Sequence, residues 1–257
     1  MTVHPHSPLV RTTLDNHVLH IVMNRPQKKN AISFEMYSSL TDTIAQAEND
    51  ADVRVLLIYG TGGCFTSGND LRDLLESPPR DENSPLFKFM KILSQAKKPI
   101  VAAVQGLAMG IGTTMLLRCD LVYAGGNTRF LLPFVNLGLC PEAASSYLLP
   151  LLAGYQRAAE LFLLAEPFGA EKAREIGLVN EICKDGDVIR YAESQARKLA
   201  AKPQASVLLT KAMLRKANAR IVEDVISDEA SSLIQRLSSP EAAEAFKAFL
   251  ARGKAGS

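Results

Sequence analysis

The sequence predicts an α/β fold: a β/α core, residues 1–200, followed by a helical C-terminal region, residues 201–257. Three observations carry the prediction. Strand-length apolar runs, such as 53–59 and 99–104, fall in the first half of the chain, whereas helical periodicity dominates from Tyr155 onward. Two of those runs turn into helices through small, glycine-containing corners. Strands early and helices late describe a core covered by an extension that packs on the core itself or on a partner subunit.

The first corner is Cys64-Phe65-Thr66-Ser67-Gly68-Asn69-Asp70-Leu71, between the apolar run over 53–59 and a short helix over 71–76. The second, Gly106-Leu107-Ala108-Met109-Gly110-Ile111-Gly112, links a strand over 99–104 to an apolar helix over 113–118. The first N–H groups of a helix have no partner inside it, so each corner can aim backbone donors at one spot. Two such corners suggest a two-donor oxyanion hole.

Taken in order, the chain opens with alternating apolar and polar residues on either side of Asp15-Asn16, the pattern of a tight hairpin. A basic loop, Gln27-Lys28-Lys29-Asn30, precedes Ser33, which can cap a helix running to Asn49 with apolar positions Met36, Leu40, Ile44 and Ala47. Lys28 and Lys29 suit either a solvated loop or a phosphate-binding one. Residues 77–85 read as a loop bordering a tunnel, 86–96 as a helix, and 119–124 as a strand. Pro141 suits the first turn of a helix, which places Glu142 near its start. There the carboxylate either complements the helix dipole or, set among Leu139, Cys140, Pro141 and Ala143, does chemistry.

Composition excludes several classes. The 257 residues are 47% hydrophobic, enough for a sizeable core. The 29 basic and 27 acidic residues are interspersed and leave a formal charge of +2, unlike a nucleic-acid binder. Cys64, Cys119, Cys140 and Cys183 are scattered, without zinc-ligand spacing, and read as reduced thiols. No apolar run approaches the roughly 20 residues of a membrane span. The polar N-terminus carries no signal sequence and Ala255-Gly256-Ser257 is not a peroxisomal address, so a cytoplasmic location is expected. All four histidines lie in the first 20 residues, which disfavours Ser-His-Asp and Cys-His mechanisms.

Together these segments resemble the crotonase, or enoyl-CoA hydratase/isomerase, superfamily. The likeness is carried by Asn24-Arg25-Pro26 through Asn30-Ala31, by Phe65 to Leu71, by Lys98-Pro99 through Gln105-Gly106, by Cys119-Asp120 and Phe130, and by Ala170-Glu171-Lys172-Ala173 to Gly177-Leu178-Val179-Asn180. It implies a spiral (superhelix) of ββα units with a C-terminal helical trimerisation region, assembled as a homotrimer or a dimer of trimers. The implied substrate is an acyl-CoA thioester, and no separate cofactor is implied because coenzyme A is part of the substrate. Metal, membrane and nucleic-acid partners are not expected.

Mapped by motif, the resemblance puts the oxyanion donors on the backbone N–H groups of Asn69 and Ile111. Hydratases of this family flank a water with two glutamates, and the corresponding positions here hold Thr114 and Phe134. Glu142 instead matches the single catalytic glutamate of the peroxisomal-type enoyl-CoA isomerases. The expected activity is therefore Δ3,Δ2-enoyl-CoA isomerisation, with a hydratase, another crotonase-type lyase or thioesterase, and a non-catalytic acyl-CoA-binding protein as alternatives. For coenzyme A the resemblance suggests Lys29, residues Thr66, Ser67, Gly68, Asn69 and Asp70, and Lys254, although Asp70 also suits the cap of the following helix. Leu74, Leu75, Phe89 and Phe134 are candidates for the acyl pocket, with ordinary core as their alternative role.

Overall fold

The computed structural model describes the backbone of residues 7–255 and the side chains of residues 7–248. Strands β1 (Val10–Asp15) and β2 (Val18–Met23) form an antiparallel hairpin, with Val10 opposite Met23. Asn16 and His17 both take positive φ at its tip, +46° and +64°, matching a two-residue turn to the strand twist. Helix α1 (Phe34–Asn49) begins where expected, Ser33 accepting the Met36 N–H at 3.3 Å.

From β2 the sheet grows only by parallel pairing. Strands β3 (Val55–Gly60) and β4 (Ile100–Val104) come next, with β5 (Leu107–Met109) leaving for a second sheet. Strands β6 (Leu121–Gly125), β7 (Arg129–Leu131), β8 (Phe168–Gly169) and β9 (Glu181–Cys183) complete the set. The large sheet runs β1-β2-β3-β4-β6-β9 and the small one β5-β7-β8, so each turn of the chain lays one strand beside the last and carries on to the next layer. This is the crotonase-like spiral.

Period 2 sorts the large sheet's side chains. Leu56 and Ile58 enter the main core with Met36, Leu40 and Ile44 of α1, while Val55 and Leu57 face a second cluster. There helix α8 (Val188–Ala200) presents the stripe Val188, Ala192, Ala196 and Ala200, whose small side chains let it lie close to the sheet.

Helices α2 (Leu71–Glu76) and α3 (Pro85–Gln95) follow the first corner. The second corner leads into a short helix α4 (Ile111–Thr114) that tightens into a 3-10 turn over Met115–Arg118, so the helix expected over 113–118 starts two residues earlier. Helices α5 (Ser145–Ala153), α6 (Tyr155–Leu163) and α7 (Ala170–Glu175) lie between β7 and β9. The last third holds α9 (Gln204–Lys216), α10 (Ala219–Leu237) and α11 (Pro240–Ala255). Ala230 and Leu233 of α10 and Ala242 and Phe246 of α11 are buried in the main core. No helix among the described residues is long and apolar enough to cross a membrane.

One sequence expectation is corrected here. Glu142 does not begin a helix: α5 starts only at Ser145, because Ala143 and Ala144 both adopt left-handed φ, +63° and +59°. L-residues rarely do so, and two in succession form a strained turn that interrupts the helix suggested by Pro141.

Candidate active site

The first corner is built around a buried asparagine. Asn30 is fully buried, accepts the Arg25 N–H on Oδ1 at 2.8 Å, and donates from Nδ2 to the carbonyls of Thr61 and Cys64 at 2.9 and 2.7 Å. A β-carbon on Gly60 would lie 2.1 Å from the Cys64 carbonyl oxygen and 2.7 Å from Asn30 Nδ2, so only glycine lets the strand end pass this close. Thr66 donates its hydroxyl to the Asn30 carbonyl at 2.7 Å and accepts the Gly68 N–H at 3.1 Å. Thr66 is therefore an internal brace, fully buried, and does not line the cleft as a substrate contact.

The backbone pairing leaves the Asn69 N–H free in the first corner and the Ile111 N–H free in the second. Ile32 N–H donates to the Gly68 carbonyl and Asp70 N–H to the Ile32 carbonyl, which steps over Asn69. Gly110 N–H is taken by the Leu131 carbonyl, and Ile111, first residue of α4, follows it. Among the described residues neither the Asn69 nor the Ile111 N–H has an acceptor. The two corners are joined at their glycines. A β-carbon on Gly68, at φ +91°, would sit 2.7 Å from the Met109 carbonyl oxygen, and one on Gly112 would sit 2.6 Å from the Thr66 methyl.

A cleft of about 500 Å³ opens over this joint. Ser67, Gly68, Asn69 and Asp70 line one side, and Arg25, Lys28, Lys29 and Arg72 bring four basic side chains to it. Leu74, Phe134, Leu137 and Leu139 supply apolar lining. Leu75 and Phe89 are not part of it: Leu75 turns outward, 37% exposed, and Phe89 is buried against the Tyr37 ring with centroids 5.4 Å apart. Phe134 also packs against Phe162, at 6.2 Å. Helix α11 carries Lys254, whose side chain lies outside the described residues.

Asp70 lines the cleft but is already engaged. It caps α2 by accepting the Arg72 N–H at 3.0 Å and pairs with Arg25 at 2.6 Å, and Arg25 also donates to the Ala31 carbonyl at 3.0 Å. It is the only carboxylate among the cleft-lining residues.

Glu142 is not itself among the cleft-lining residues: it is 1% exposed, with no hydrogen bond to either carboxyl oxygen. Burial pushes its pKa up to about 8; the Asn69 side-chain amide opposes the rise in part and the charge of Glu229 adds to it. No hydrogen bond of ordinary geometry joins Asn69 to Glu142. Asn69 is oriented from behind by the Tyr37 hydroxyl, which donates to its Oδ1. Burial raises the Tyr37 pKa well above 10, and the Glu142 charge raises it further. Thr114 is likewise buried and its hydroxyl unpartnered, so the two positions that would carry hydratase glutamates offer no acid or base.

Three contributors lie outside the sequence expectations. Tyr37 sits beside Met36 in an apolar helix stripe, where a buried phenol must find a partner. Asn30 is a polar residue in a loop, and nothing local marks it as buried. Glu229 occupies the i+3 position of the buried stripe Ile226, Ala230 and Leu233 on α10, an acid where the pattern calls for an apolar residue. It accepts the Ala144 N–H at 2.6 Å and the Ser146 N–H at 2.9 Å. The carboxylate at the start of α5 is thus Glu229, not Glu142. His17 and His20 are far from this chemistry, the first bonded to the Asp52 carbonyl and the second against Tyr59 and Glu193. Among the described residues no group of three His, Cys, Asp or Glu side chains is arranged to hold a metal ion.

Known proteins resemble this chain over most of its length. A family model described as enoyl-CoA hydratase/isomerase matches residues 13–256. The 1,2-epoxyphenylacetyl-CoA isomerase of Escherichia coli is 32% identical over 244 residues, covering 91% of this chain and 92% of that protein. Enoyl-CoA delta isomerase 2 of Rattus norvegicus is 32% identical over 249 residues, covering 95% of this chain and 63% of its own length. The structure of Pseudomonas aeruginosa OdaA superposes with a TM-score of 0.93 at 42% identity, covering 95% of this chain and 99% of that one. The spiral fold, the two joined corners and a family match over nearly every residue establish that the chain belongs to the enoyl-CoA hydratase/isomerase, or crotonase, family of acyl-CoA enzymes.

Proposed function

We propose that the protein is a Δ3,Δ2-enoyl-CoA isomerase in which Glu142 is the sole acid and base. The observation that carries this is the Glu142 carboxyl itself: buried, unpartnered, beside Asn69, and with a pKa of about 8. An acid/base group is most effective when its pKa lies near the working pH. The rat relative's name supports the reading, and the bacterial relative's name also denotes isomerisation of a CoA thioester.

In this reading the thioester oxygen of a β,γ-unsaturated acyl-CoA accepts hydrogen bonds from Asn69 N–H and Ile111 N–H. The α-proton of a thioester is only weakly acidic, so its removal depends on stabilising the enolate oxygen, and one such donor is worth about 3 kcal/mol in the transition state. Glu142 takes the proton from C2, the electron pair spreads over the dienolate, and Glu142 returns the proton to C4. The double bond then lies between C2 and C3, and no water is consumed. Phe134 and Leu139 give the acyl chain an apolar wall, while Lys28, Lys29 and Arg72 suit the phosphates of coenzyme A. The only carboxylate in the cleft lining, Asp70, is engaged, and Thr114 and Phe134 cannot serve as acid or base, which favours one-carboxylate chemistry at Glu142 over hydration.

Exposed Leu151 and Leu152 on α5, Tyr155 and Leu163 on α6, and Leu209 and Met213 on α9 support a homo-oligomer, for which a trimer is proposed. The catalytic reading is tested by following the ultraviolet absorbance of the conjugated enoyl thioester as the purified protein acts on a β,γ-enoyl-CoA. The expected result is turnover by the wild type and at least a ~100-fold loss in Glu142→Gln. No turnover of that substrate, together with consumption of an α,β-enoyl-CoA, sinks the isomerase reading.

A further inference from the structure

The turn that carries Glu142 is strained and poorly supported by its own sequence. Ala143 and Ala144 hold successive left-handed conformations, and Ala144, at the N-cap position of α5, has no side chain able to cap. The Ser145 N–H donates to the Glu142 carbonyl at 3.2 Å, and the Ala144 carbonyl accepts the Tyr147 and Leu148 N–H groups at 3.2 and 2.9 Å as α5 begins. Two further donors go to one carboxylate 83 to 85 positions later in the chain: Glu229 Oε2 takes the Ala144 N–H at 2.6 Å and Oε1 the Ser146 N–H at 2.9 Å.

Glu229 is an expensive way to cap a helix. It is 8% exposed within the apolar stripe of α10, and none of the groups that set its pKa is a cation. It also lies close enough to Glu142 for the two charges to disfavour each other. A serine at position 144 would offer α5 a local cap without burying a second acid beside the first. What the local cap cannot do is hold a left-handed backbone from outside while leaving the Glu142 side chain free of any partner.

We propose that Glu229 is a positioning residue for Glu142: its two oxygens clamp the Ala143–Ala144 turn, and the clamp fixes where the Glu142 carboxyl points. The proposal rests on Glu142 being the acid/base. Glutamine at 229 keeps one acceptor and presents an amide N–H to the second donor, so the clamp loses one of its two bonds. Aspartate keeps the charge but is one methylene short. Loss of the Glu229 charge also lets Glu142 ionise at lower pH. The other titratable groups facing this pair are Tyr37 from α1, Cys140 from the Glu142 loop and, through Cys140, Arg236 from α10.

The test compares the wild type with Glu229→Gln, Glu229→Asp, and Glu229→Gln combined with Ala144→Gly, on a β,γ-enoyl-CoA. Expected are a fall in kcat of at least tenfold in Glu229→Gln with KM within about threefold, and recovery of at least threefold by the glycine, which adopts left-handed φ freely. Glu229→Asp repeats the comparison if the glutamine variant does not fold. In parallel, 13C NMR of the Glu142 carboxyl, assigned by its loss in Glu142→Gln, is expected to titrate at lower pH in Glu229→Gln than in the wild type. A kcat within threefold of wild type, or a loss that glycine does not relieve with the titration unmoved, overturns the clamp and leaves Glu229 a cap of α5. If the wild type shows no isomerisation, or Glu142→Gln retains it, the catalytic reading fails, and the clamp is then decided by the Glu142 carboxyl resonance: a single line in the wild type that splits or broadens in Glu229→Gln supports it, and an equally sharp line in both overturns it.

Discussion

Arg25 and Asp70 meet at 2.6 Å beside the cleft, and this pair ties the basic loop to the oxyanion corner. Both side chains are largely shielded from water, and each has a second role, since Arg25 holds the Ala31 carbonyl and Asp70 caps α2. Asp70→Asn keeps the cap but leaves Arg25 without its counter-ion. A loss of about 1–2 kcal/mol in urea unfolding is expected, more than an exposed pair gives and less than a fully buried one. Because Asn69 precedes Asp70, kcat is expected to fall about tenfold in the same variant.

The pH dependence follows from Glu142. A base with a pKa of about 8 is mostly protonated at pH 7, so kcat/KM is expected to rise with pH and to level off above about 8. The stability consequence has the opposite sign. Below the ordinary carboxylate pKa of 4.5 both folded and unfolded chains hold the proton; between 4.5 and 8 only the unfolded chain releases it, so folding loses stability with rising pH. Above 8 the loss is constant, and its upper bound is about 1.4 kcal/mol for each pH step between the unfolded and folded pKa values. Calorimetric scans should therefore show Glu142→Gln melting above the wild type at pH 8.5, with the difference shrinking towards pH 4. An equal difference at both pH values would contradict the raised pKa.

Gly68→Ala tests the joint between the corners. At φ +91°, with the Met109 carbonyl oxygen 2.7 Å from the new β-carbon, alanine forces the corners apart. A stability loss of about 2–3 kcal/mol is expected from strain. Misalignment of Asn69 N–H and Ile111 N–H is expected to lower kcat at least ~100-fold, with KM for the acyl-CoA changed far less. Stopped-flow binding beside steady-state rates separates the two.

Asp120 anchors α9 to the sheet. It accepts the Ile100 N–H and the Lys211 ammonium, each at 2.7 Å, and the Arg215 guanidinium at 3.1 Å. Burial lowers the Lys211 pKa to about 8 even with Asp120 beside it. Asp120→Asn removes the one negative charge facing two shielded cations, and a loss of about 3 kcal/mol is expected from chemical denaturation. Hydrogen exchange should show α9 loosening before the sheet does.

Much of this architecture is legible locally. Ser33 marks the start of α1, Asn16 marks the hairpin tip, and the run of small residues from Thr66 to Asp70 marks a corner. What is not legible depends on distant partners. The resemblance makes Thr66 a coenzyme A contact, yet the Asn30 carbonyl draws its hydroxyl inward. Glu142 reads as a helix-start residue because Pro141 precedes it, but the left-handed turn that overrides that signal is held from α10. Strands β5, β7 and β8, at two or three residues each, are too short to show any alternation.

The clamp on the Glu142 turn also imposes an order on synthesis. The large sheet is complete at Cys183 and its covering helix at Ala200, yet the carboxylate that receives the Ala144 and Ser146 donors arrives only at position 229. A chain emerging from the ribosome can therefore own its whole sheet and both corners while the turn that presents Glu142 is still slack. With a C-terminal spacer long enough to clear the exit tunnel, ribosome-arrested full-length chains should turn over a β,γ-enoyl-CoA and chains cut before Glu229 should not, so maturation of the proposed catalyst is expected as one late step rather than a gradual gain.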